Sequence, residues 1–317
     1  MKIRKLVCVL ALLALPACGD MLENGGRLDR PRVLGVRVDV EGDPTRASPA
    51  PGETATLRWL VASADDVPWS GAVTACIGAP TQTGFPSCAG EPFAVAPSPT
   101  PSLEPAMTIT LPSAEAFAGT TGDVLLLGVF CAGGAPTLDG CDEASVEEEL
   151  VTFTFPASLG DAPPNHHPSI ADEAFTYDGR AWAAPPDDLP ATGCAARADE
   201  DAFPHATWRN EGEAPELSMT THTDDREPYL ELVFGETPMQ VESREELTVS
   251  IVVSAGTLPR RQTVIFDDAS LDVTIPWTHP SLDEVPADGL TVELIAVARD
   301  GRGGMDWTRR ALCLLPE

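Results

Sequence analysis

Basic residues are scarce in this chain, and lysine is nearly missing from it. Lys and Arg together number 20 against 49 Asp and Glu, which gives a formal net charge of −29 at pH 7. The two lysines, Lys2 and Lys5, stand at the start, so every later basic residue is an arginine. A body this acidic repels phosphate backbones and anionic lipid headgroups. The composition predicts no nucleic-acid partner and excludes electrostatic adsorption as the means of membrane attachment.

Motifs of the common enzyme and metal families are missing too. The chain has no Gly-x-Ser-x-Gly elbow, phosphate loop, dinucleotide fingerprint, His-Glu-x-x-His or Cys-x-x-Cys sequence. Aromatic residues make up 6% of the chain and include only two tyrosines, which is few for a carbohydrate-binding face. These patterns predict neither catalytic residues nor a cofactor.

A hydrophobic run long enough to cross a bilayer is also missing. Leu6–Leu15 is continuously apolar, but ten residues suit the core of a signal peptide and not a spanning helix. Lys2, Arg4 and Lys5 precede this run, which is the charge order of a secretory leader. The chain is therefore expected to be exported.

The leader ends in LPACG, residues 15–19, which resembles the lipobox of bacterial lipoproteins. In that family a small residue precedes a cysteine whose sulfur receives a diacylglycerol before the leader is cleaved. The resemblance implies a signal peptide over residues 1–17 and membrane attachment through lipid on Cys18, with acyl chains such as palmitate. Gly19 at the second mature position implies the outer membrane, with the body facing the periplasm or the cell surface. The alternative is an ordinary signal peptide with an incidental cysteine, although Leu15 is bulky for its small-x-small site.

Six cysteines follow the leader and the expected anchor, and an even number in an exported chain indicates disulfides. The favoured pairing is local in the first half and closes a long loop in the second, as Cys76–Cys88, Cys131–Cys141 and Cys194–Cys313. A bridge between Cys76 and Cys131 on neighbouring strands is the competing model. The separations of 12 and 10 residues in the two local pairs fit no common zinc pattern.

Strand signals begin after residue 31 and fall into two groups. Pro and Gly number 31 and 26, an excess that favours short elements joined by turns. Apolar residues alternate with the period of a half-buried strand in Arg32–Val40 and in Glu53–Val61. A polar, proline-containing stretch separates the groups. The predicted organisation is a tether at 18–31, a β-sandwich at 32–158, a linker at 159–168 and a second β-rich sandwich at 169–317.

The stretch PAPGETATL, residues 49–57, resembles the loop and second-strand entry of bacterial Ig-like domains. Val124–Phe155 and Leu290–Leu314 each contain an apolar strand, a glycine-containing loop and a final strand, which is a faint internal repeat. The whole is similar to bacterial surface lipoproteins that carry Ig-like modules. This resemblance implies an all-β fold of two tandem Ig-like β-sandwich domains after a lipoprotein signal peptide, and it brings no catalytic residues.

Two kinds of polar cluster are candidates for binding. His166 and His167 lie in the linker, and we expect them to be incidental residues, with a metal or pH-sensitive contact as the alternative. Acidic runs in the second half are expected to be solvated loops, with a calcium site as the alternative. They are Asp187–Asp188, Asp199–Asp201, Asp224–Asp225 and Asp267–Asp268.

Tryptophan offers a third kind of candidate. Trp59 lies on the inward face of a predicted strand and is expected in the core. Trp69, Trp182 and Trp208 fall in segments without a regular pattern, where an exposed indole could stack on a sugar.

These features together predict a membrane-anchored envelope lipoprotein that acts as a non-catalytic binding or structural module. Its expected partners are the membrane, through lipid on Cys18, and another envelope or surface protein. One alternative is a calcium- or glycan-dependent adhesin, motivated by the acidic runs and the tryptophans. The other alternative is an enzyme that acts on envelope polymers.

Overall fold

The computed structural model of the protein describes residues 26–62, 67–79, 86–137, 140–160, 163–186, 189–197, 202–209, 214–233 and 239–316. Strands account for 52% of the structure and helix for 6%. The fold is therefore all-β, as the sequence predicts.

The first half of the described chain forms two antiparallel sheets and a small hairpin. Its strands are β1 Arg32–Val40, β2 Thr54–Ala62, β3 Trp69–Ile77, β4 Ala94–Ser102, β5 Ala106–Thr110, β6 Asp123–Ala132, β7 Pro136–Thr137, β8 Gly140–Cys141 and β9 Glu147–Pro156. One sheet has the order β1-β2-β5 and the other the order β4-β3-β6-β9, while β7 and β8 form the hairpin. The inward side chains of the two sheets share one hydrophobic core.

The centre of this first core is aromatic. Trp59 of β2 is fully buried, as the alternation in its strand predicts. Its ring centroid lies 4.7 Å from that of Phe130 on β6 and 5.5 Å from that of Phe153 on β9. Since tilted and edge-on aromatic pairs add attraction beyond the area they bury, these contacts hold the two sheets together.

The second half contains eleven strands within the described ranges. They are β10 Phe175–Tyr177, β11 Arg180–Ala181, β12 His205–Thr207, β13 Glu216–Thr220, β14 Pro228–Val233, β15 Met239–Arg244, β16 Leu247–Val253, β17 Gln262–Ile265, β18 Asp272–Pro276, β19 Leu290–Arg299 and β20 Met305–Leu315. Two sheets, in the orders β11-β10-β13-β18 and β12-β20-β19-β16-β17, enclose a second core, and β14 pairs with β15 in a separate hairpin.

The same strand order recurs in both halves. The order β10-β13-β18 corresponds to β1-β2-β5, and β17-β16-β19-β20 corresponds to β4-β3-β6-β9. The second half adds β11 at one sheet edge and β12, which pairs in parallel with β20, at the other. The two halves are thus sandwiches of one underlying topology.

Short 3₁₀ helices lie in the connections between strands. They are Ala114–Phe117, Asp172–Ala174, Cys194–Ala196, Thr223–Asp225 and Leu282–Glu284. In the described part of the chain, no helix has the length and apolar character needed to cross a bilayer.

Candidate functional site

The two sandwiches are joined by an apolar contact between sheet faces. On β2, Leu60 and Ala62 lie on the face that points away from the first core, and on β19, Ile295 and Val297 point away from the second. These residues meet in a third hydrophobic cluster, which we call the junction cluster: Leu28, Leu60, Ala62, Val252, Ile295, Val297 and Met305. Burying each large apolar side chain contributes roughly 1.5–3 kcal/mol. Separation of the sandwiches would expose this surface, so the two behave as one body.

The segment before β1 belongs to this junction. Leu28 is 2% exposed. Its backbone N–H donates to the Val253 carbonyl at 2.8 Å, and the Val253 N–H donates to the Gly26 carbonyl at 2.8 Å. The sequence predicts a tether at 18–31, whereas residues 26–31 are part of the folded body in the structure. The reason is Leu28, an apolar side chain that reaches a cluster formed by both sandwiches.

The segment between the sandwiches, expected as a polar linker at 159–168, also enters the junction. Asn165 and the side chain of His167 are each 2% exposed. The Ala47 N–H donates to the Asn165 carbonyl at 2.8 Å, and the His167 N–H donates to the Thr45 carbonyl at 2.8 Å. The expectation that the linker histidines are incidental is wrong for His167, because its polar groups find partners on both sandwiches.

His167 joins the sandwiches through both ring nitrogens. Its Nδ1 atom accepts a hydrogen bond from the Met305 backbone N–H at 3.0 Å, and its Nε2 atom donates to the Val38 carbonyl at 3.1 Å. A backbone N–H can only donate and a carbonyl can only accept, so the ring is neutral and carries its proton on Nε2. Burial, assisted by the positive charge of Arg37, lowers the pKa of His167 to about 4.

Arg37 makes an ionic connection beside this histidine. Its guanidinium donates to Asp39 at 2.8 Å and to Asp306 Oδ1 at 2.5 Å. The other oxygen of Asp306 accepts the Ile170 backbone N–H at 3.0 Å. Burial raises the pKa of Asp306, and the Ile170 bond and the charge of Arg37 oppose that rise. One carboxylate therefore links β1, β20 and the segment that follows the predicted linker.

Asp300 shapes the loop between β19 and β20 at the same junction. Its Oδ1 atom accepts the N–H groups of Arg302 at 2.7 Å and Gly304 at 2.8 Å, and its Oδ2 atom accepts from Asn165 Nδ2 at 2.8 Å. Burial raises the pKa of Asp300, against these hydrogen bonds. A Cβ atom at Gly304 would lie 2.7 Å from the His166 carbonyl oxygen, so the close approach requires glycine.

A cleft of about 480 Å³ opens beside this loop and is lined by both sandwiches, with Asp123 on one side and Arg302 on the other. Asn165 also lines it, and its buried Oδ1 atom has no hydrogen-bond partner among the described residues. Arg302 donates to Glu245 at 2.7 Å, and burial raises the pKa of Glu245 to about 7. The cleft thus presents hydrogen-bonding groups of both kinds to a polar ligand.

No protein-family model matches this chain, and no curated protein matches it.

The structure forms three disulfides, in the pairing favoured from the sequence: Cys76–Cys88, Cys131–Cys141 and Cys194–Cys313. The competing bridge between Cys76 and Cys131 does not form, although β3 and β6 are neighbours. All six cysteines of the described ranges are consumed in these bonds. Cys18, the expected lipid anchor, lies outside the described residues.

Each acidic run considered for calcium that the structure describes contains a carboxylate that is bonded within the protein. Asp187–Asp188 and Asp199–Asp201 lie outside the described residues. Asp225 accepts two backbone N–H groups at 2.9 and 2.8 Å, and Asp268 pairs with two arginines at 2.5 and 2.6 Å. Within the described ranges, no three His, Cys, Asp or Glu side chains come together as a metal site requires.

The tryptophans considered for sugar stacking are mostly buried. Trp69 and Trp182 are 0% and 1% exposed. Trp208 is half-buried, and its indole N–H donates to the Pro280 carbonyl at 2.8 Å. The expectation of exposed indoles is wrong for Trp69 and Trp182. Trp69 is the first residue of β3, and the sequence around it shows no regular alternation from which its burial could be predicted.

Proposed function

We propose that the protein is an exported lipoprotein, attached to the outer membrane by acyl chains on Cys18. Its folded body faces the periplasm or the cell surface and acts as a non-catalytic binding or structural module. The partner is another protein of the envelope.

The observation that carries this proposal is the set of disulfides that the cysteines form. Three disulfides use every cysteine from Cys76 onward, and such bonds persist in oxidising compartments outside the cytoplasm. Of the two remaining cysteines, Cys8 lies in the predicted leader. After cleavage, Cys18 is left without a cysteine to pair with, which suits a thiol that receives lipid.

The packed start of the body supports a position close to the membrane. Eight residue steps separate Cys18 from Gly26, and a chain of that length spans at most about 28 Å. Gly26 is bonded to Val253 at the junction of the sandwiches. Lipid on Cys18 would thus hold the junction side of the body near the bilayer, despite the net charge of −29 that opposes contact with anionic headgroups.

We infer that each sandwich is of the Ig-like type. The support is the strand order, a three-stranded sheet β1-β2-β5 facing a four-stranded sheet β4-β3-β6-β9, which recurs in the second half. Two antiparallel sheets with such crossed connections are the architecture of many cell-surface modules. The buried junction fixes one module against the other, which favours a rigid display of surface loops.

The β14–β15 hairpin is the surface that we assign to the protein partner. Among the described residues its strands pair only with each other, and an isolated two-stranded hairpin is marginally stable in water. Leu230 and Met239 on it are 61% and 59% exposed. Exposed apolar side chains next to open strand edges favour pairing with another polypeptide. The hairpin base is held to the body by Arg302, whose guanidinium lies 5.0 Å from the ring centroid of Tyr229.

Membrane fractionation tests the anchor. We expect the wild-type protein in the outer-membrane fraction and Cys18→Ser outside it, as an uncleaved precursor. Cys8→Ser is the matched control and should fractionate like the wild type. An unchanged distribution of Cys18→Ser would contradict the proposal.

Cross-linking in intact cells tests the partner surface. A specific envelope protein should be captured with the wild type and lost with Leu230→Glu or Met239→Glu. Leu282→Glu, at an exposed apolar residue on another element, is the control and should keep the capture. Equal capture by the hairpin variants and the wild type would rule the hairpin out as the binding surface.

A further inference from the structure

A cavity of about 200 Å³ lies at the edge of the second sandwich, away from the junction. It opens between the β10–β11 turn and the residues around β12. Six of its lining residues have ionisable side chains: Tyr177, Asp178, Arg180, His205, Arg209 and His279.

Local structure brings these side chains together. Tyr177 and Arg180 are paired across the tight turn between β10 and β11. Asp178 in that turn has a φ of 49°, and its N–H donates to the Glu216 carbonyl at 2.8 Å. On the other side of the cavity, the Arg209 backbone N–H donates to Nδ1 of His279 at 3.1 Å.

The cavity has an excess of positive charge in a strongly acidic protein. Neither Arg180 nor Arg209 has an acidic partner among the described residues, whereas junction arginines such as Arg37 are paired with carboxylates. Asp178 is the one described carboxylate that lines the cavity. Two guanidinium groups against one carboxylate leave a net positive charge, although the whole chain carries 49 acidic and 20 basic residues.

The neutral groups of the cavity are donors as well. The Nδ1 atom of His279 is an acceptor, so the ring proton is on Nε2, and this buried atom has no partner among the described residues. Burial, with help from the charge of Arg209, lowers the pKa of His279, so the ring stays neutral. Burial raises the pKa of Tyr177 to about 12, so its hydroxyl remains protonated and able to donate.

We propose that this cavity binds a small oxyanion, with Arg180 and Arg209 as the charged partners and the Tyr177 hydroxyl and His279 Nε2–H as neutral donors. The charged oxygens of an oxyanion accept hydrogen bonds, and these four donor groups have no acceptor among the described residues. Guanidinium groups bind phosphate and carboxylate oxygens through two parallel hydrogen bonds, and such charge-assisted bonds are the strong ones. The cavity has room for one such group and not for a large ligand. This site is independent of the anchor and of the hairpin surface.

Isothermal titration of the purified mature protein with inorganic phosphate, sodium acetate and glycerol 1-phosphate tests the proposal. We expect saturable binding of at least one of these probes, weakened about tenfold or more by Arg180→Gln and by Arg209→Gln. Arg261→Gln removes an exposed arginine outside the cavity and is the matched control, which should bind like the wild type. Thermal melting of each variant establishes that it is folded.

The three probes distinguish the sources of the oxyanion. Preference for acetate assigns the cavity to a carboxylate. Preference for inorganic phosphate assigns it to the free ion, and preference for glycerol 1-phosphate assigns it to a phosphate ester on a headgroup or polymer. Failure of all three probes to bind, or equal binding by folded Arg209→Gln, Arg180→Gln and wild-type protein, would overturn the proposal.

Discussion

The Nδ1 atom of His167 accepts a hydrogen bond from the backbone N–H of Met305 at 3.0 Å, across the junction of the two sandwiches. This bond requires an unprotonated Nδ1 atom. Protonation of Nδ1 would bring its N–H against the Met305 N–H, so that two donors face each other. It would also place a buried positive charge near Arg37, whose own charge lowers the pKa of His167. The junction is therefore sensitive to acid at one identifiable atom.

His167 should make the protein less stable in acid. Its pKa falls from 6.5 to about 4 on folding. Between these values the unfolded chain binds a proton that the folded chain does not, so the free energy of unfolding decreases as the pH falls from 6.5 towards 4. The full effect is about 3 kcal/mol. His167→Gln keeps one acceptor and one donor, and we expect it to remove this decrease, as measured by urea denaturation at pH 7 and pH 4.5.

The comparison has to be made as a difference between variant and wild type. Burial raises the pKa values of Glu245, Asp300 and Asp306, which favours the folded state in acid. These groups therefore partly offset the loss of stability that His167 causes in acid. Leu28→Ala removes a side chain of the same junction that does not titrate, and it should keep the wild-type pH dependence. An identical pH dependence in His167→Gln and wild type would show that His167 does not titrate between folded and unfolded states.

Gly304→Ala should destabilise the junction. The new Cβ atom would approach the His166 carbonyl to 2.7 Å and the Asp300 carboxylate even more closely. Relief requires the backbone to move, and overpacking of this kind costs about 1–3 kcal/mol. Gly90→Ala is the control, since a Cβ atom there meets no neighbour within 4 Å. Urea denaturation measures both, and equal stability of the two variants would mean that the loop adapts without strain.

Leu28→Ala should loosen the contact between the amino-terminal segment and the junction. Leu28 is 2% exposed in the junction cluster, and removal of a buried leucine side chain costs about 2–5 kcal/mol. Limited proteolysis should then cut before β1 faster than in the wild type. Leu230→Ala, at a 61% exposed leucine, is the control and should change stability by less than about 0.5 kcal/mol. Unchanged stability and cleavage in Leu28→Ala would place the segment outside the folded body.

The long disulfide should contribute more stability than a local one. Cys194–Cys313 closes a separation of 119 residues and Cys76–Cys88 a separation of 12. In the chain-entropy model these loops are worth about 5 and about 3 kcal/mol. The double variant Cys194→Ala with Cys313→Ala is therefore expected to unfold at lower urea concentration than Cys76→Ala with Cys88→Ala. The reverse order would show that native-state strain or denatured-state structure outweighs loop entropy.

Strands with clear alternation could be predicted closely from the sequence. The strand predicted at Arg32–Val40 has the bounds that the structure gives it, and the one predicted at Glu53–Val61 differs from β2 by one residue at each end. The sequence does not predict the strand Ala94–Ser102, because Pro97, Pro99 and Pro101 disfavour a strand unless it lies at a sheet edge. Its edge position beside β3 depends on tertiary structure.

The contact between the two sandwiches could not be predicted, although the sequence contains a pattern that is consistent with it. A strand with one solvated face alternates, whereas Trp59, Leu60, Val61 and Ala62 are apolar in succession and all buried. Both faces of β2 are therefore covered. The apolar run in β19 has the same cause. The sequence does not show that these two runs contact each other, because that depends on which sheet faces meet.

The most direct test of the proposed function is mass spectrometry of the amino-terminal peptide of the protein purified from its native membrane. We expect a mature chain that begins at Cys18 and carries a diacylglycerol on its sulfur. A free thiol at Cys18, or a mature chain that begins at another residue, would contradict it.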